Sequence, residues 1–184
     1  PEDAREASRA LKGSLLREEV YSLDGSPHEG RPYTAAESNS TIRMLQPRGQ
    51  NCHGIFFVHN RESLAMNYER RLYETSSGPH ADPQTVHAVI LEVDDFGNVL
   101  LSANLAYGRR IADRSPHLTE QDRSKQAETL ITFDQNQYTN VVDTSEAYRV
   151  PMIASSHSFE LAHSGTHSRP RSFDDVRQLV EDAY

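Results

Sequence analysis

Cysteine is almost missing from this chain: Cys52 is the single one in 184 residues. One thiol cannot close an intrachain disulfide, and a cysteine-based zinc site needs several, so neither can hold this fold together. No apolar run approaches the ~18 residues that a membrane-crossing helix requires, so no such helix is expected here. Positive charge is also short. The formal net charge is −8, and the basic residues form no stripe, so phosphate neutralisation cannot drive binding and no nucleic-acid partner is expected. Arg70-Arg71, Arg109-Arg110 and the arginines at 169 and 171 read as solvated edges that discourage strand aggregation.

Catalytic signatures are missing too. No Gly-x-Ser-x-Gly elbow exposes a serine, so His59, Ser63 and Asp94 or Asp95 make only a nominal hydrolase trio. Asp95-Phe96-Gly97 imitates a kinase metal-binding triplet, but no glycine-rich nucleotide loop accompanies it. Glu18-Glu19 and Asp94-Asp95 are adjacent carboxylates; on a strand they point to opposite faces and cannot flank one bond. His157, His163 and His167 could be offered to a metal, yet they sit in a run of Ser, Thr and Gly and read as a solvated cluster. The chain is therefore read as non-enzymatic, with no cofactor and no metal. It opens at Pro1 with no charged-then-apolar leader, and is expected to be a piece cut from a longer polypeptide.

What the chain has is sheet-forming pattern. From Val86 to Arg110, apolar residues alternate, break at Asp94-Asp95-Phe96-Gly97-Asn98 and alternate again. Before the turn the apolar positions are Val86, Ala88 and Ile90, then Leu91 and Val93. After it Val99, Leu101, Ala103, Leu105 and Tyr107 share one face. Gly97 supplies the positive φ that a tight hairpin needs, and Asp95 and Asn98 are expected to bond the turn backbone. Leu15 to Leu23 reads as a strand burying Leu16, Val20 and Leu23, and Tyr33 to Gln46 as a long strand with one wet face. Gly54 to His59 is the most apolar short run, and the core is expected there. Ser63 to Tyr73 alternates like a strand, Gly78 to Pro83 is a loop, and Pro116 to Lys125 an exposed connection or one helical turn. Thr129 to Phe133 and Met152 to Leu161 are further strands, with Pro151 setting the start of the last. Helices are expected at both ends: Glu2 to Leu11, and a C-terminal one with Ser172 as N-cap and a buried stripe of Phe173, Val176, Leu179 and Val180.

The expected fold is mainly β: antiparallel hairpins forming a curved sheet or open sandwich, with short helices at the N and C termini. One β-rich region over 1–162 (helix about 2–12, strands about 14–161) precedes a linker and short helix over 163–184. The structural turn residues are Asp95, Gly97, Asn98 and Pro151.

Six blocks, in this order, resemble a known family. They are Arg9 to Gly13 with Leu16 to Gly25; Pro32-Tyr33-Thr34; Ile42 to Pro47; Leu91 to Leu100; Tyr107-Gly108-Arg109-Arg110; and Tyr138-Thr139-Asn140 with Tyr148 to Pro151 and Ser158 to Leu161. The chain is similar, over about residues 6 to 162, to the middle/C-terminal region of the B component of bacterial tripartite (Tc or ABC) insecticidal toxin complexes, related to SpvB-like and RHS-associated toxin proteins. The resemblance implies a secreted, structural part. It implies that such chains, together with the RHS repeats of a C component, form a hollow β-sheet shell around the toxic effector and hand that effector to a pore made by the A component. A second reading is a β-sandwich module that uses Tyr33, Tyr68, Tyr73 and Tyr107 as platforms for a glycan or receptor.

Overall fold

The computed structural model describes residues 2–161 and 169–183. In chain order the elements are α1 (Glu2–Ala10), β1 (Arg17–Val20), β2 (Thr34–Gln46), β3 (Ile55–Asn67), β4 (Tyr73–Thr75), β5 (Gly78–His80), β6 (Gln84–Val93) and β7 (Val99–Tyr107). There follow α2 (Glu120–Ala127), β8 (Leu130–Tyr138), β9 (Val142–Asp143), β10 (Tyr148–Arg149), β11 (Ile153–Leu161) and α3 (Phe173–Asp182). Seven strands make one sheet in the order β1-β2-β3-β6-β7-β8-β11. Every neighbouring pair is antiparallel, so the chain meanders across the sheet in sequence order. The short ribbons β4–β5 and β9–β10 are inserted in its connections. Of the two expected forms, the open sheet is the one found. Register shifts at Asn39/Ser40, Met44/Gln46, Ile90/Glu92 and Ile153/Ser155 each leave a residue unpaired, which bends and twists that strand.

The core lies on one face of β6, β7 and β8. Val89, Leu91, Ala103, Leu105, Ile131 and Phe133 are buried there, and α3 lays Val176 and Val180 across them. This moves the core away from Gly54 to His59. Pairing between β3 and β6 begins only at Glu62, so the first half of β3 is flanked by β2 alone and Ile55 stays half exposed. The phase of β6 also differs from expectation. His87, Val89 and Leu91 point inward while Val86 is exposed, because a buried imidazole occupies a position that an apolar count passes over.

Four further expectations are corrected. Leu16, Val20 and Leu23 are exposed, on or beside β1, a sheet edge with a neighbouring strand on one side only. The charged stretch from Pro116 contains the eight-residue helix α2, started by a capping box in which Thr119 and Asp122 satisfy each other's backbone N–H. The loop at Gly78 to Pro83 includes β5, and the strand expected from Ser63 ends at Asn67. The two terminal helices and the hairpin over Val86 to Tyr107 are as the sequence pattern predicts.

Candidate functional site

The register brings the end of β3 and of β7 beside the start of β2, β6 and β8: Thr34 faces Asn67, Asn67 faces Gln84, Thr85 faces Tyr107 and Ala106 faces Leu130. The loops leaving that end of the sheet carry a connected polar cluster. Its cations are the two arginine pairs, and each arginine meets a different carboxylate: Arg70 with Asp24, Arg71 with Asp113, Arg109 with Glu69 and Arg110 with Asp82. They are ion-pair members rather than the solvated edges that the sequence suggested.

Asp82 sits deepest, its side chain 1% exposed. Its carboxylate accepts from the backbone N–H of Arg110 at 3.0 Å, that of Ile111 at 2.9 Å and the Arg110 Nε at 3.0 Å. A carboxylate can stay charged out of water only with donors arranged this way. Arg109 donates to the Asp82 carbonyl and to Glu69, and Tyr73 donates to the other oxygen of Glu69 at 3.0 Å. The Tyr73 ring is buried against two guanidinium groups, Arg71 at 4.6 Å and Arg109 at 5.9 Å from its centroid. Burial first, then Glu69, pushes the Tyr73 hydroxyl above its ordinary pKa. Arg71 grips Asp113 with two bonds of 3.0 and 3.1 Å, and the Ser115 N–H followed by Arg71 holds Asp113 below the usual carboxylate range.

Arg70 ties the 24–28 loop to the same corner. It donates to Asp24 and the Tyr33 hydroxyl at 2.9 Å, to Ser26 at 3.2 Å and to the His28 carbonyl at 3.3 Å. Arg70, with the Ser26 N–H, holds Asp24 far below the usual carboxylate range. Among the described residues Arg70 alone, apart from glycines, has positive φ, at 53°. Such a backbone persists only where surrounding bonds fix it. Gly108 lets the chain pass α2: a Cβ there would lie 2.2 Å from the Ala127 carbonyl oxygen. Arg109 N–H then bonds Gln126 O at 2.6 Å, and Arg123 of α2 reaches back to the carbonyls of Asp113 and Ser115. The four residues Tyr107 to Arg110 are thus a junction where β7, α2 and three loops are locked together.

The hairpin turn is held differently from expectation. Gly97 has φ +85°, and Asn98 donates through backbone and side chain, both at 2.8 Å. The acceptor is Asp94, not Asp95: Asp94 also takes the Phe96 N–H at 2.9 Å, the bond from a residue two positions on that a turn-opening aspartate makes. Asp95 points to solvent and pairs with Arg43 at 3.0 Å. Pro151 lies between β10 and β11, where its missing N–H interrupts no ladder. The nominal hydrolase trio is not assembled: His59 bonds the Asn60 carbonyl, and Asp94 is used by its own turn. His157 packs beside Phe159, while His163 and His167 lie outside the described residues. Tyr33 carries Arg70 over its ring at 4.7 Å, and Tyr73 is buried. Tyr68 and Tyr107 border a cavity of about 250 Å³ with Met66, Asp82 and Arg110. Of the four tyrosines, Tyr68 and Tyr107 share that cavity, while Tyr33 and Tyr73 are engaged by arginines.

The molecule is an open antiparallel meander whose loop end is held by ion pairs. The chain belongs to the family of the insecticide toxin TcdB middle/C-terminal region, whose sequence model matches residues 6–151. Crystal structures of TcdB2–TccC3–Cdc42 and of TcdB2–TccC3 contain a similar fold. Each is 27% identical over 87% of this chain, with TM-scores of 0.69 and 0.68. The Tc holotoxin pore of Photorhabdus luminescens shares the fold at 24% identity over 89% of this chain, with a TM-score of 0.70. The chain spans 8% of the length of each of these matched chains. No curated protein matches it.

Proposed function

We propose that this chain is a non-enzymatic wall segment of a Tc-toxin B component, contributing strands to the β-sheet shell that encloses and delivers a toxic effector. The observation that carries the reading is an open seven-stranded sheet with no further strand on β1 or β11 among the described residues, in a chain whose matched relatives are solved in complex with TccC3. A sheet edge presents a row of backbone donors and acceptors, and a wall supplies the neighbour that satisfies them. The partners in this reading are the remainder of the B component, a C component with its RHS repeats and effector, and the A-component pore, all acting outside the producing cell. Helix α3 belongs to the same unit, since Val176 and Val180 complete the core.

The test is protease protection in the full-length B component co-expressed with a C component. The wall reading expects the enclosed effector to resist protease in the wild type. Truncating the segment's buried carboxylate, Asp82→Ala, should render it cleavable, while Arg71→Ala, which opens an exposed pair, leaves it protected. Equal effector protection in wild type and in an assembly lacking residues 84–161 would sink the proposal.

A further inference from the structure

His87 is 1% exposed at the centre of β6, and both its ring nitrogens are bonded. Nε2 lies 3.2 Å from Glu62 Oε2 on β3, and Nδ1 lies 3.2 Å from the Tyr107 hydroxyl on β7. That hydroxyl accepts the Arg171 backbone N–H at 2.8 Å, immediately ahead of the Ser172 cap of α3. The chain of bonds therefore runs from sheet to helix. A carboxylate only accepts, so the neutral imidazole carries its proton on Nε2 toward Glu62; Nδ1 is then the acceptor of the Tyr107 O–H.

We propose that Glu62, His87 and Tyr107 form a proton-operated latch: uptake of one proton from solvent at His87 Nδ1 reverses the Tyr107 hydroxyl and loosens α3 from the sheet. The inference does not depend on the wall reading. No covalent bond other than the new N–H changes. With Nδ1 turned donor, the Tyr107 oxygen must accept from both Nδ1 and Arg171, and its own proton turns away from its former partner. A partly buried hydroxyl deprived of its acceptor costs stability at the seam that holds α3. The charges around His87 oppose one another. Glu62 attracts the imidazolium, but its other oxygen is already bonded to Asn39 at 2.8 Å, and Arg61 stands 4.0 Å away from that oxygen. Glu37, which lines a separate cleft together with Glu62 and His87, is paired with Arg17. From the helix side Arg171 and Asp175 act on Tyr107. Arg177 is occupied with the Leu91 carbonyl and the Phe173 ring. Burial outweighs Glu62 and holds the His87 pKa below its ordinary value, while burial raises that of Tyr107. Release of α3 would bare Val89, Leu91, Leu105, Ile131 and Phe133, an apolar face that only acid exposes.

Hydrogen exchange of the 173–182 helix in the 184-residue chain, corrected for intrinsic rates, tests this at pH 7.5 and pH 5. Protection should fall at least about tenfold at the lower pH. His87→Gln, neutral at both values, should abolish that fall. Unchanged protection in the wild type, or an equal fall in His87→Gln, overturns the latch. Should the variant fail to fold, NMR titration of the wild type decides: the His87 imidazole and the Arg171 amide should share one midpoint, and an Arg171 amide that ignores the His87 transition overturns it.

Discussion

Asp82 and Arg71 belong to the same network yet should differ sharply in weight. Removing the buried Asp82 carboxylate orphans two backbone N–H groups and the Arg110 guanidinium, so Asp82→Ala should cost about 3 kcal/mol in urea unfolding. Arg71→Ala breaks a pair whose arginine is about half exposed, and the loss should stay within ~1 kcal/mol. Equal losses would show that burial does not set the hierarchy. Two glycines are similarly irreplaceable. Gly108→Ala drives a Cβ into the Ala127 backbone and should cost more than ~2 kcal/mol. Gly97→Val meets both a φ of +85° and the Phe57 ring at 2.8 Å, and should cost more than ~1 kcal/mol; an unchanged melting temperature would refute either. His87 gives the stability a pH dependence of definite sign. Its folded pKa is depressed, so the unfolded chain binds the proton first. The stability it contributes is complete above the unfolded value of about 6.5 and is lost as pH falls through the folded one, which a denaturation midpoint followed downward from pH 7.5 would register.

At the scale of elements, α3 shows how local signals and distant contacts divide the work. Ser172 accepts from the Asp175 N–H and Asp175 accepts from Ser172, so Ser172→Ala should destabilise the chain by about 1 kcal/mol and reduce helix protection in hydrogen exchange. The cap and its stripe were legible because both lie within eleven consecutive residues. The hairpin from Gln84 to Tyr107 was legible for the same reason: alternation and a turn glycine are local. Which of the two adjacent aspartates closes the turn is not legible in the sequence, because both carry equal turn propensity and only the bond geometry selects Asp94. The core position failed because the register, not the apolarity of Phe56, Phe57 and Val58, decides which stretch of β3 gains a second neighbour. The arginine network was invisible for a stronger reason. Its partners stand 28 to 46 residues apart, and no periodicity links Asp24 to Arg70 or Glu69 to Arg109.

For the whole molecule the two sheet edges are unequal. β1 is four residues long and carries Arg17, Glu18 and Glu19, which disfavours pairing between two isolated copies while leaving its backbone groups open to a neighbour in the assembly. β11 runs nine residues with no proline or lysine, and Ile153 and Phe159 are exposed along it. The isolated chain should therefore self-associate through β11: sedimentation coefficients should rise with concentration, and Ser156→Lys should suppress the rise. A monomer at every concentration would count against it. The wall reading is tested most directly by a cryo-electron microscopy map of the full-length B component assembled with its C component. Strands from elsewhere in the assembly should hydrogen-bond to the outer edges of β1 and β11, with this sheet continuous in the shell around the effector. A map in which the seven strands stand apart from the shell, both edges facing solvent, would contradict it.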